Sequence, residues 1–265
     1  MTYRRFKLIW PPVLIIVLLL LLLQLLTGIG VIRDFIIPPP TAVFSAMVEQ
    51  HHLLWPHIRV TTEIALIGFV LAVLFGSLMS ILMERVRWLY RAFYPLIVAS
   101  QTIPTIVITP VIVLLFGFGT WPRLVVVVLV CFFPLTLSFL QGLYTVDPDL
   151  IRLMRSMGAN EAETLLHVKL PASLPSFFAG LKISATYCVT AAVLSEWSGS
   201  GLGLGVYMMR TKRSYAYDRM FASIVWIVLL SLIIYLLSTL LEYLFTPWLR
   251  NERKKHATRK RATAL

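Results

Sequence analysis

Two acids sit in stretches that are otherwise oily. Glu63 falls within one long apolar run, and Glu196, followed by Trp197, stands at the end of another. A carboxylate at membrane depth is costly and reads as functional by default. It can accept hydrogen bonds from a polar solute while a neighbouring ring stacks on it. Each acid also has a plainer reading. Glu63 can pair with Arg59, four residues earlier on the same helix face. Glu196 can be a helix-end residue at the interface. A third group lies in "SQTIPTIVITPVIV", where Gln101 and Thr102 adjoin a proline break at Pro104. Tyr187 adds an aromatic ring in a later apolar run.

Other chemistries are excluded more firmly. His51, His52, His57, His167 and His256 all fall outside the expected apolar cores, so no cluster of His, Asp or Glu marks a membrane-embedded enzyme or a metal site. Cys131 and Cys188 have no CxxC or ligand spacing and read as small buried hydrophobes. No G-x-x-x-x-G-K-[ST] is present. "GSGLGLG" at 199–205 has no Lys-Ser/Thr after it and reads as a turn. The chain is expected to bind no cofactor.

The elements that must position these residues are membrane helices. Of 265 residues, 58% are hydrophobic and 14% charged, and the mean hydropathy is +0.84. Soluble domains are about a quarter charged. The net charge of +12 is split into clusters between apolar runs, so nothing resembles a basic nucleic-acid domain. A span needs roughly 20 apolar residues. Six are expected, at 8–28, 60–83, 93–116, 122–143, 176–195 and 220–244. The first is longer than a signal-peptide core and lacks a small-residue cleavage site, so it reads as an uncleaved span. The third carries Pro104 and Pro110 and is either a kinked packing helix or the lining of a path.

Lys and Arg set the orientation. The tail 1–7, the loop 84–91, the loop 144–175 and the tail 250–265 hold sixteen of them, and the opposite side holds seven. Both termini are expected in the cytoplasm. "RTKRSYAYDR" is the misfit, because it falls outside. Trp55, Trp121 and Trp248 read as an interfacial belt, and the basic tail as a topological anchor with affinity for anionic lipid.

The polar loop 144–175 has its own signals. Asp147 caps a short helix with Pro148 at its first position. Gly158 stops it. Asn160 and Glu163 form a capping box that starts a second helix, which Leu170-Pro171 ends. Glu161 suits the positive end of that helix. Ala159, Ala162 and Leu166 fall at helical spacing. A small-residue stripe flanked by acids fits a groove in a protein partner better than a lipid surface. A plain connector is the alternative.

Gly158, nine residues, Val168, one residue, then Leu170-Pro171 resembles the loop signature of binding-protein-dependent ABC transporter permeases. The Glu-Ala-Ala that opens the signature is replaced here by Arg152-Leu153-Met154. The resemblance runs from about 38 to 248 and includes "IPPPTAVFSAM" and "LIGFVLAVLFGSLMSILM". It implies an all-α, six-span permease domain over 8–249 in the bacterial inner membrane. The loop would be a coupling helix through Gly158, Ala159, Glu161, Ala162, Leu166, Val168, Leu170 and Pro171. The implied partners are cytoplasmic ATP-binding subunits that hydrolyse ATP, an external solute-binding protein (periplasmic or lipid-anchored) and a second copy of the chain. Within the nitrate, sulfonate and taurine group, Ser195-Glu196-Trp197 and Gly205-Val206-Tyr207-Met208 look most like permeases for thiamine pyrimidine precursors, with riboflavin-type permeases close by. An aminopyrimidine would donate to Glu196 or Glu63 and stack on Trp197 or Tyr187. A stand-alone secondary transporter is the rival class, and it expects inverted repeats that are not visible.

Overall fold

The computed structural model describes residues 2–33, 36–197 and 201–247, with side chains from residue 10 onward. The apolar runs become helices because lipid offers the backbone no partners, so each span must satisfy its own N–H and C=O groups. In chain order the helices are α1 (Thr2–Gly28), α2 (Pro40–Glu49), α3 (His51–Arg85), α4 (Arg87–Ser100), α5 (Thr105–Phe116), α6 (Thr120–Tyr144), α7 (Pro148–Ser156), α8 (Glu161–Thr164), α9 (Leu170–Trp197), α10 (Leu204–Arg213) and α11 (Tyr217–Phe245). Among the described residues, five helical stretches are long and apolar enough to cross a membrane, or six if a bent pair is one span.

That pair covers the expected span 93–116, with the break at the proline. α4 and α5 are separate helices bent by 109°. Pro104 is extended, with φ −62° and ψ 129°, and α5 starts after it. At 1.5 Å per residue, 14 and 12 residues reach only about 21 and 18 Å. Neither half crosses alone.

The helix end expected at Leu170-Pro171 is corrected. Pro171 does not end the preceding helix. A π segment, Leu165–Lys169, joins α8 to α9, giving one helical run over Glu161–Trp197. Leu170 N–H bonds Leu165 O, five residues back. Pro171, which lacks an N–H, sits where this register returns to α, so the helix loses little there.

The core is α3, α6 and α9. Ala65, Ala72, Val127, Cys131, Ala185, Cys188 and Ala192 are all fully buried. Small residues let these helices approach closely, as membrane packing requires. A β-carbon on Gly68 would stand 2.6 Å from Val127 Cγ1. Ser184 Oγ donates to Cys131 O at 2.6 Å, and Ser80 Oγ to Thr136 O at 3.0 Å. α11 is tied to α9 by Lys182 Nζ and Glu242 Oε2, 2.8 Å apart. α1 stands largely exposed and touches the rest through Gln24 Oε1, which accepts from Thr41 N–H at 3.2 Å. Trp55 and Trp121 are exposed, as a belt needs. Trp248 and the tail 250–265 lie outside the described residues.

Candidate functional site

Three structural features gather the polar groups: a cavity, a buried latch and a protruding segment.

The break between α4 and α5 opens onto a cavity of about 510 Å³. Ser100, Gln101 and Thr105 line it from the break. One face of α6 adds Phe133, Ser138 and Gln141, and α9 adds Ile183 and Tyr187. Among the described residues the lining contains no charged side chain. Of the residues expected on a pathway, Gln101 and Tyr187 meet here. Pro104 makes the break without lining the space. Thr102 Oγ1 instead donates to Ala99 O at 2.7 Å. Ser138 and Gln141 escaped the sequence reading, although they lie one turn apart in an apolar run just after Pro134, a helical proline that frees a carbonyl one turn back.

The two acids are elsewhere. Glu63 Oε1 lies 2.7 Å from Arg59 Nε, and both side chains are largely exposed. The plainer reading of Glu63 is the observed one. Glu196 is fully buried. Its Oε1 accepts from Thr61 Oγ1 at 2.7 Å, and its Oε2 from Gly205 N–H at 2.7 Å. Thr61 Oγ1 in turn accepts from Leu204 N–H at 2.8 Å. Arg123 Nη1 donates to Leu202 O at 3.0 Å. His57, expected outside the apolar cores, is buried within α3, with Nδ1 3.0 Å from Gly203 N and 2.8 Å from Gly203 O. Gly203 has φ +140°, and a β-carbon there would collide with the Glu196 carboxylate. The carboxylate, on α9, therefore latches the start of α10 onto α3, Arg123 ties Leu202 to α6, and the carboxylate does not line the cavity. Trp197 is partly exposed at the end of α9. Just beyond the latch, burial raises the Tyr207 hydroxyl above its ordinary range, and the Tyr207 ring lies 5.1 Å from that of His57.

At the opposite end of the bundle the segment α7–α8 protrudes. Its local signals form as expected. Asp147 accepts from Asp149 N–H, and Asn160 and Glu163 complete a capping box. Gly158 has φ +87°. Ala159 lies outside either helix, so it does not share a helical stripe with Ala162 and Leu166. Leu150, Leu153, Met157 and Leu166 are exposed, with Glu161 and Ala162. Val168, Leu170 and Pro171 are half-buried. Val168 and Pro171 border a groove of about 480 Å³ against α7. Leu165 packs with Phe139 and Leu143. Lys169 Nζ pairs with Glu84 Oε1 of α3. The protruding face is thus tied rigidly to two core helices.

A helical bundle with a broken span beside an uncharged cavity, and an exposed segment braced against its core, defines a membrane transport subunit. Residues 68–251 match the family described as "Binding-protein-dependent transport system inner membrane component". The chain belongs to that family: it is an ABC transporter permease, a multi-pass inner-membrane component of an ABC importer. It is similar to a probable ABC transporter permease protein of Haemophilus influenzae, 34% identical over 84% of this chain and 91% of that one. It is also similar to the formylaminopyrimidine transport permease protein ThiX of Halalkalibacterium halodurans, 34% identical over 83% of this chain and 88% of that one. The riboflavin transport system permease protein RibX of Chloroflexus aurantiacus is 30% identical over 81% of each. Among solved structures, the inward-facing MetNI methionine ABC transporter has the same fold, with a TM-score of 0.64 at 20% identity, covering 75% of this chain and 98% of that one. Membership implies ATP-binding and solute-binding partners, and it places catalysis outside this chain.

Proposed function

We propose that this permease passes a small, uncharged, flat heteroaromatic solute, a thiamine pyrimidine precursor being the chemistry that fits best. The observation that carries this is the uncharged lining of the cavity. Gln101 and Gln141 each offer a carbonyl and an amide NH₂, which match the ring nitrogens and amino group of an aminopyrimidine. Phe133 and Tyr187 offer rings to stack on. A volume of 510 Å³ lies in the usual range of about 300–1,000 Å³ for ligand sites. A sulfonate or nitrate would call for Arg or Lys, and the lining has neither. The similarity to the formylaminopyrimidine permease points the same way.

In this reading recognition rests on amides and hydroxyls, not on Glu196 or Glu63. The excess of Lys and Arg supports an orientation with α7–α8 and both termini in the cytoplasm. Ala162, Leu166 and the surrounding exposed leucines dock in a groove of the ATP-binding subunit. No cofactor is held by this chain. A second copy packs against α5, whose Leu114 and Leu115 are 85% and 73% exposed. The experiment is uptake in cells that cannot make the pyrimidine of thiamine, supplied with the permease and its partners. Growth on formylaminopyrimidine or hydroxymethylpyrimidine is the expected result. Uptake of riboflavin, taurine or sulfonate in its place would reject this substrate.

A further inference from the structure

α4 is basic on one face and oily on the next. Its sequence, "RWLYRAFYPLIVAS", contains no acid. Arg87, Tyr90, Arg91 and Tyr94 fall at i, i+3, i+4 and i+7, which puts them on one face. Trp88 and Leu96, further round the helix, are 70% and 63% exposed. A helix with Arg on its polar face and Trp and Leu beside it belongs in a membrane interface. α4 stands at the end of the bundle that carries α7–α8. Only Val86 separates it from α3, whose Glu84 pairs with Lys169.

This face meets the end of α6 around a pocket of about 360 Å³, lined by Arg87, Tyr90, Arg91 and Tyr144. The rings build its wall. Tyr90 meets Tyr144 edge-on with centroids 5.4 Å apart, and it stacks on Tyr94 at 4.9 Å. Tyr144 Oη donates to Met83 O at 3.4 Å, which ties that ring to the end of α3. The two guanidinium groups are left over. Both Arg87 and Arg91 are exposed, and among the described residues no acid pairs with either. Glu84, an acid at this end of α3, is taken by Lys169. An arginine fork fits a phosphate through two parallel N–H bonds, and Tyr90 adds a hydroxyl. A plain run of solvated charge would need no ring wall.

We propose that the pocket between α4 and the end of α6 binds the phosphate headgroup of an anionic phospholipid. Arg87 and Arg91 hold the phosphate, Tyr90 and Tyr144 flank it, and the acyl chains cover the apolar side of α4 at Trp88 and Leu96. Basic pockets between membrane helices take such headgroups. An acidic protein face would meet the charge but would leave the apolar side of α4 to water. Free phosphate would fill the forks and leave that side equally bare. The bound lipid fastens α4 to the ends of α3 and α6, beside the Glu84–Lys169 pair. The site needs only a membrane interface at this end, whichever leaflet that is, and it is independent of the solute carried.

The test uses the complete transporter, stripped of lipid in detergent and titrated with phosphatidylglycerol or phosphatidylcholine, with bound lipid counted by native mass spectrometry. Wild type is expected to take phosphatidylglycerol about tenfold more tightly, as two cations beside an anionic headgroup warrant. Arg87→Gln with Arg91→Gln is expected to abolish that preference. Arg87→Lys with Arg91→Lys keeps the charge but loses the fork, so it is expected to lose about threefold. Arg152→Gln with Arg155→Gln removes the same charge from neighbouring α7 and is expected to change nothing. An undiminished preference in the glutamine pair at 87 and 91 overturns the site. So does an equal loss in the α7 pair, because charge at this end would then suffice without a pocket. Where the glutamine pair at 87 and 91 fails to assemble, the lysine pair decides alone, and a preference equal to wild type overturns the site. Inorganic phosphate that displaces the lipid at equal concentration overturns the lipid in favour of a free anion.

Discussion

Glu196 Oε1 and Thr61 Oγ1 lie 2.7 Å apart across 135 residues of sequence, in a site that water does not reach. The pair sets the position of α10, because each residue also takes an N–H from the segment before it or its first turn. Glu196→Gln keeps one acceptor oxygen but turns an NH₂ toward a donor. A buried donor left without an acceptor costs about 1–3 kcal/mol, so the melting temperature in detergent should fall. Thr61→Val should do the same. The double variant should lose less than the two single losses combined. Additivity within about 0.5 kcal/mol would show that the two are not coupled.

The pair Lys169–Glu84 joins the π segment to the end of α3, with side chains 22% and 9% exposed. Removing one member of a largely buried pair costs about 3–5 kcal/mol. Lys169→Met is expected to leave ATP hydrolysis running while the transport per ATP drops severalfold, because the docking segment would no longer move α3. Restoration of that ratio by Lys169→Glu with Glu84→Lys would show that the contact itself matters. A ratio unchanged in Lys169→Met would show that it does not.

Leu166 is 61% exposed on the same protruding segment as the exposed Leu150 and Leu153. Leu166→Asp should reduce co-purification with the ATP-binding subunit at least tenfold and leave membrane insertion normal. Gly158→Ala has open space for its β-carbon. Its cost is therefore the backbone alone, roughly 1–2 kcal/mol for a left-handed residue, and it should weaken coupling less than Leu166→Asp does. The reverse order in a pull-down assay would move the docking face from α8 to the turn.

Gln141→Leu and Gln101→Leu should raise the uptake KM for an aminopyrimidine about tenfold each, as the loss of an amide contact worth about 1.4 kcal/mol predicts. Glu63→Gln should leave uptake unchanged, because its carboxylate is engaged with Arg59 on an exposed helix face. A strong effect of Glu63→Gln with none from the glutamines would exchange the two as solute contacts.

What the sequence disclosed depended on distance along the chain. The cap at Asp147, the box of Asn160 and Glu163 and the turn at Gly158 involve neighbours within five residues, and each forms as expected. The apolar runs marked the spans for the same reason. Pro104 announced a break, but no local rule sets a bend of 109°. Pro171 misled because the rule that proline stops a helix assumes α register, and a π turn suspends it. Glu196 was noticed for its cost and misread for its partner. Thr61 lies 135 residues away, and only the packing of α3 on α9 brings the two together. The second acid was easier, since Arg59 is one turn from Glu63.

The π segment Leu165–Lys169 has a consequence for how such chains diversify. It holds one residue more than an α turn would between the exposed α8 face and the span. Deleting that residue restores a plain helix and rotates everything before it by about 100° about the common axis. Leu166 and Ala162 would then point away from their present direction, while Phe178 and Leu181 keep their place in the core. A single-codon change here re-aims the α8 end of the helix without disturbing the membrane-embedded part. A lineage can thus retune its fit to a different motor subunit by insertion or deletion at one site, and inherit the channel intact.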